Sequence, residues 1–243
     1  MAERRGAAAV AAKAVGDEDA GGGGDQSPDR AARRSRPVLI GTAFEDEARR
    51  RGHLLIAGVD EVGRGALAGP VVAGAVILDP LLPWPKGLDD SKKLSPAQRE
   101  RIADVIRKTA IAFAVGSVPA EEIDALNILV ATHQAMLKAI RGLSPAPDFL
   151  LIDALTLKES ALPQRAIIRG DAVSASIAAA SVVAKTYRDA LMRDYHHAYP
   201  QYGFARHVGY GTQAHLDALR ACGPCEIHRK SFRGVLPIVD SLQ

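Results

Sequence analysis

Cysteine is almost missing from this chain: there are two, Cys222 and Cys225, in 243 residues. Two thiols cannot staple a scaffold of this size, so a disulfide framework is excluded, and the low count suits a reducing compartment. Long apolar runs are also missing. The longest, Val71–Leu78, is strand length, far short of the roughly 18 residues of a membrane span. Neither sign of charge dominates: the formal net charge of +3 permits a polyanionic partner without requiring one. The first residues lack the basic, apolar and small-residue order of a secretory signal, and Asp17, Glu18, Asp19 and Asp25 speak against a transit peptide. No internal repeat is present. The expectation is a cytoplasmic protein with no membrane contact.

What is there is 47% hydrophobic and 24% charged, enough for one sizeable core. Residues 1–36 stand apart. They are rich in Ala, Gly, Arg and Asp, carry four consecutive glycines at 21–24 and hold no aromatic residue. Such a segment buries too little apolar surface to offset its ordering entropy and reads as a disordered tail. Residues 37–243 form the expected folded domain.

Within that domain, periodicity predicts a short helix over Phe44–Arg51 and strands over Leu54–Val59, Val71–Leu78, Phe113–Val118, Phe149–Ile152 and Ala166–Ile168. Helices are predicted over Ala97–Thr109 behind a Ser95-Pro96 start signal, over Glu121–Arg141, over the Ala-rich Ala172–Arg193, and over Thr212–Ala221. Strands first and helices later give a mixed α/β sheet with a helical C-terminal part.

Chemistry gathers where these strands end. Asp60 and Glu61 close the first, Asp153 closes the fourth, and Asp171 opens the Ala-rich helix. Four carboxylates brought together repel one another, and a divalent cation with a preference for oxygen, Mg²⁺ or Mn²⁺, removes that cost. Each has a bland alternative: Asp171 as a helix cap, Asp153 as a turn residue. Neighbours on a straight strand point to opposite faces, so Asp60 and Glu61 share a site only if the chain bends there. Gly63-Arg64-Gly65 follows, a glycine-flanked arginine that suits close backbone approach and phosphate contact but is also an ordinary tight turn.

Taken together these residues resemble the ribonuclease HII family. The run Asp60-Glu61-Val62-Gly63-Arg64-Gly65 with Ala68-Gly69-Pro70-Val71-Val72 is similar to the family's opening. Further blocks follow in order: 88–94 (LDDSKKL), 123–129 (IDALNIL), 170–171 (GD), 176–181 (SIAAAS), Ala184-Lys185, 202–210 (YGFARHVGY), Gly223-Pro224 and 228–232 (HRKSF). The resemblance spans about residues 53–233. It implies a ribonuclease-H-like fold, a central mixed five-stranded sheet flanked by helices with a helical C-terminal extension. It also implies a monomeric endonuclease hydrolysing the RNA strand of RNA–DNA hybrids, including single ribonucleotides in duplex DNA, by two-metal-ion catalysis that leaves 5′-phosphate and 3′-hydroxyl ends. By position, Asp60, Glu61, Asp153 and Asp171 would be the catalytic metal ligands for two Mn²⁺ or Mg²⁺ ions. Gly63, Arg64 and Gly65 would contact the ribose 2′-hydroxyl, the group that separates RNA from DNA. Tyr210 would stack on the sugar at the junction. Lys92, with Lys93 and Lys185 as further candidates, would contact phosphate.

Three positions depart from the family pattern: Ala154 follows Asp153 where glycine is usual, Arg169 replaces a usual lysine, and Val208 stands where lysine is common. Two other signals compete. Cys222-Gly223-Pro224-Cys225 spells a thioredoxin-type motif, but it follows a helix and not a strand. His207, His215 and His228 are candidates for buried or capping roles, with His207 placed nearest the active-site rim by its closeness to Tyr210.

Overall fold

Val71–Ile77 is a run of Val, Ala, Gly and Ile in which every residue is buried, the pattern of a strand covered on both faces. In the computed structural model, which describes residues 40–236, this strand lies inside a five-stranded sheet. The strands are β1 (Ile56–Val62), β2 (Val71–Ile77), β3 (Ala112–Val118), β4 (Phe149–Asp153) and β5 (Gln164–Ile167), in the order β3-β2-β1-β4-β5. β1, β2 and β3 are antiparallel neighbours, while β4 runs parallel to β1 and β5 parallel to β4. The mixed sheet is the expected one. The tail proposed for residues 1–36 lies outside the described residues.

The helices are α1 (Ala43–Arg50), α2 (Pro96–Thr109), α3 (Ala120–Leu126), α4 (Ile128–Arg141), α5 (Ala175–Ala198), α6 (Phe204–His207) and α7 (Gln213–Cys222). Ser95 starts α2 with a reciprocal capping box to Gln98, as its sequence signal implies. α4 packs Ala135, Met136 and Ala139 against Ala57, Val59 and Ala73 on one sheet face. On the other face α5 packs its alanines, with α2 beside it. α5 lies so close to the sheet that a Cβ at Gly58 would sit 2.0 Å from the Ser176 backbone, and one at Gly74 2.3 Å from the Ala180 carbonyl. Glycine at those two positions and alanine on the helix permit the approach. A smaller cluster of Met192, Tyr202, Phe204, Leu219 and Ile227 gathers the C-terminal helices.

Three predicted elements change. The helix expected over Glu121–Arg141 is two, broken at Asn127, whose backbone takes φ 73° and whose side chain accepts from Leu129 and Val130 N–H to cap α4. β1 does not stop at Val59 but runs through Asp60 and Glu61 to Val62, paired with β2 along its length. The Ala-rich helix starts at Ala175, not Ala172. Gly170–Ala172 is a separate 3₁₀ turn, and Ser174 is the N-cap. Buried Glu45 of α1 accepts from Ser174 Oγ at 2.7 Å, Ser176 N at 2.9 Å and Ser176 Oγ at 2.7 Å, fastening α1 to the first turn of α5.

Candidate active site

The parallel pair β1 and β4 keeps register from Ile56–Phe149 to Val59–Ile152, so the next step sets Asp60 beside Asp153 at the carboxyl ends of the strands. Strand alternation puts Asp60 on the face of Gly58, against α5, and Asp153 on the same face as Leu151, which packs on Ile177 of α5. The 3₁₀ turn brings Asp171 to the same place: Gly170 N–H donates to Asp153 Oδ1 at 2.6 Å. Since Ser174 caps α5, Asp171 is not the helix cap, and the bland reading of that residue falls away.

Ideal alternation would send Glu61 to the opposite face from Asp60, yet its charge acts on Asp60 and it feels that of Asp153, so its carboxylate still reaches the same site. No bend separates the two; the turn comes after Val62, at Gly63 with φ 89°. Glu61 Oε1 accepts from Arg64 Nη1 at 3.2 Å, and its Oε2 is buried with no partner.

Electrostatics tie the four carboxylates together. Burial, then the Glu61 charge, pushes Asp60 well above the usual carboxylate range; Asp153 adds to the effect, while the Ser181 hydroxyl works against it. Glu61 is raised by burial, against the pull of Arg64, and feels Asp153 as well. Asp153 is raised by burial against the Gly170 N–H, with Asp171 repelling it. Lys92 Nζ lies 2.8 Å from Asp171 Oδ2. Burial alone would lower the Lys92 pKa, but Asp171, Asp90 and Asp60 together hold it above the ordinary lysine value.

The arrangement suits a hard cation. It is an all-oxygen donor set, strained by mutual repulsion, with an orphaned buried oxygen on Glu61. As the side chains stand, no group of three or more His, Cys, Asp or Glu residues among those described is drawn together tightly enough to ligate one ion. Asp153 and Asp171 are engaged by Gly170 N–H and Lys92 instead.

The Gly63-Arg64-Gly65 segment lies at the end of β1, with Arg64 and Gly65 exposed. A Cβ at Gly63 would sit 2.3 Å from Arg188 Nε, so no side chain fits there. Leu67 N–H donates to Gly209 O at 2.8 Å, lacing this segment to the one that carries Tyr210. The Tyr210 ring is partly exposed and lies 5.6 Å from the Arg188 guanidinium.

Two candidate placements change, those of Lys185 and His207, while the buried reading of the histidines and the rejection of the redox motif hold. Lys185 is held by Asp189 at 2.5 Å in a half-buried pair and is not free for phosphate. His207 is not on the rim: it is buried, bonded through Nε2 to Tyr202 O at 2.7 Å and stacked on His215. His215 in turn meets His228 at 3.0 Å, so all three histidines brace the C-terminal lobe beneath Tyr210. Cys222 ends α7 and does not open a helix, and burial pushes the Cys225 thiol up; neither fits a redox motif. Sequence reasoning missed two buried arginines, Arg188 and Arg229. Arg188 had a signal: it continues the i, i+4 stripe of Ala180 and Ala184 to Met192, which faces the core.

Residues 57–235 match the family described as Ribonuclease HII. A ribonuclease HII of Chlamydia caviae is 56% identical over 202 residues, covering 83% of this chain and 94% of its own length. The chain belongs to the ribonuclease HII family. As a ribonuclease HII it is an endoribonuclease of the ribonuclease H class, acting on the RNA strand of RNA–DNA hybrids. Its fold is that of the ribonuclease H2 of Pyrococcus horikoshii OT3, with a TM-score of 0.62 at 24% identity over 75% of this chain and 95% of that one. It is also that of Bst-RNase HIII in complex with Mn²⁺, with a TM-score of 0.57 at 22% identity over 77% of this chain and 70% of that one. No helix among the described residues is long and apolar enough to cross a membrane.

Proposed function

We propose that this ribonuclease HII cuts the RNA strand at Asp60, Glu61, Asp153 and Asp171, and that its substrates include single ribonucleotides embedded in duplex DNA. The observation that carries the reading is the convergence of Asp60, Asp153 and Asp171 on one sheet face, where burial and mutual repulsion raise the pKa of the first two. Those carboxylates, with the unpartnered Glu61 oxygen, would hold two divalent cations, Mg²⁺ or Mn²⁺; a protein of like fold has been solved with Mn²⁺. Bound there, the cations would supply an activated water and neutralise charge on the leaving 3′-oxygen, giving 5′-phosphate and 3′-hydroxyl ends.

The chain's own residues do the selecting. Arg64 and Gly65 offer exposed backbone, and Gly65 has no side chain to block it, so the ribose 2′-hydroxyl can be read by main-chain groups of the Gly63-Arg64-Gly65 segment. Tyr210 stacks on the neighbouring sugar, where an extra hydroxyl would interfere. Lys92, exposed beside Asp171, turns to a substrate phosphate. The enzyme works as a cytoplasmic monomer, its catalytic domain beginning near residue 37.

The test is cleavage of a duplex carrying one embedded ribonucleotide, with EDTA, Mg²⁺ or Mn²⁺. Cleavage only with a divalent ion, at the ribonucleotide and with a 5′-phosphate product, is expected. Cleavage in EDTA, or none at the embedded ribonucleotide in either metal, would overturn the reading.

A further inference from the structure

Arg188 and Arg229 are both fully buried, yet neither has the carboxylate partner that a buried guanidinium ordinarily needs. The adjacent acid, Asp189, is taken by Arg99 and Lys185, and among the described residues neither arginine makes an ion pair. Their hydrogen bonds go to main-chain carbonyls alone. Arg188 donates to Pro70 O at 3.0 Å, Ala68 O at 3.1 Å and Val208 O at 2.9 Å. Arg229 donates to Gly69 O at 3.0 Å and Arg64 O at 2.9 Å, leaving Nη2 buried and unpaired. Four of the five acceptors belong to residues 64–70 and the fifth precedes Tyr210 by two residues.

The consequence for the backbone is direct. A trans peptide points its carbonyl and its N–H in opposite directions. With Arg64 O drawn inward by Arg229, the Gly65 N–H faces outward, and among the described residues no acceptor meets it. Arg188 bonds both Ala68 O and Val208 O, so one planar group spans the two segments, and its face lies under the Tyr210 ring.

The geometry points to Arg188 and Arg229 as positioning residues that present the Gly65 amide to the ribose and fix its spacing from Tyr210, and so set the enzyme's ability to act on a single ribonucleotide. This rests on the roles given above to Gly63-Arg64-Gly65 and Tyr210. A long hybrid offers many equivalent registers and tolerates a shift between the two contacts, whereas one embedded ribonucleotide offers a single register. Lysine at either position keeps the charge but loses the rigid fork that spans several carbonyls.

The experiment measures kcat and KM for Arg229→Lys and, separately, Arg188→Lys on two duplexes, one with a single embedded ribonucleotide and one a continuous RNA–DNA hybrid. In variants with an unchanged far-ultraviolet circular dichroism spectrum, kcat on the single ribonucleotide should fall roughly tenfold or more. KM should stay within about twofold, and the hybrid should be affected less. Equal losses on both duplexes, or an unchanged ratio between them, overturn the proposal. So does failure of both variants to fold, since the guanidiniums would then be holding the domain together; if one folds, that one decides. Should the unaltered enzyme itself fail on the single ribonucleotide, the underlying reading of the site falls, taking this proposal with it. That result is seen before any variant is compared, which keeps the two failures apart.

Discussion

The ammonium of Lys92 lies 2.8 Å from Asp171, inside the field of Asp60 and Asp90. A residue from the loop before α2 thus reaches to the turn before α5 and puts a positive charge beside the carboxylates. Lys92 neutralises part of the repulsion that a divalent ion would otherwise relieve.

Lys92→Ala should therefore sharpen the response to metal. In thermal unfolding, Mg²⁺ should raise the Tm of the variant more than that of the unaltered enzyme, because stabilisation by a ligand grows with its affinity for the folded state. In EDTA the variant should lose about 1 kcal/mol or less, since the pair is exposed on the lysine side. Equal Mg²⁺ shifts in the two proteins would show that Lys92 does not compete for the carboxylates.

Asp60→Asn separates catalysis from stability. Cleavage should fall by several orders of magnitude while duplex binding survives. Burial holds the Asp60 pKa above its ordinary value of 3.8, so from there upward to the folded-state value the folded chain keeps a proton that the unfolded chain releases. Across that window the metal-free protein loses stability as pH rises. Urea denaturation in EDTA should show this slope in the unaltered enzyme and a flatter one in Asp60→Asn; parallel slopes would contradict the electrostatic account of the site.

Tyr210→Ala addresses junction sensing. Cleavage of a single embedded ribonucleotide should drop about tenfold or more, in line with the loss of one base- or sugar-stacking contact. Binding to plain duplex DNA, measured by fluorescence anisotropy, should change little. Unchanged single-ribonucleotide cleavage would remove Tyr210 from the proposed site.

The histidine cluster makes the C-terminal lobe sensitive to acid. Burial, then His215, pushes His228 down from 6.5 to about 4. Between those values the unfolded chain binds the proton that the folded chain refuses. Stability is therefore complete above pH 6.5 and declines as pH falls toward 4, by about 3 kcal/mol from this residue. His228→Gln should flatten that decline in denaturation series from pH 7 to 4; an unchanged slope would place the acid sensitivity elsewhere.

What the sequence made legible follows from the range of each interaction. Ser95-Pro96 and the all-buried Val71–Ile77 are local signals, and both mark their elements correctly. Asn127 was hidden because apolar periodicity continues across it; only its positive φ divides α3 from α4. Whether the chain bends between Asp60 and Glu61 was not readable from the sequence, because it is pairing with β2 that carries the strand on to Val62. Ala154 takes φ 51°, Arg169 φ 56° and Val208 φ 44°, so all three departures from the expected pattern fall on left-handed backbone. Lys185 and Asp189 stand four apart on one helix, a spacing that already foretold their pairing. Arg229 was out of reach because its acceptors lie more than a hundred residues away in the chain; the stripe that marks Arg188 as buried gave no sign of its own distant acceptors.

Glu45 carries a last consequence, for where the enzyme can be cut. The residues that match the family begin at 57, yet Glu45 accepts three hydrogen bonds from Ser174 and Ser176, and Ala175 N–H donates to Gly41 O. A chain trimmed to the family boundary would leave those donors without acceptors in the turn that follows Asp171. A chain that begins at or before Gly41 should therefore be more stable than one trimmed to residue 57.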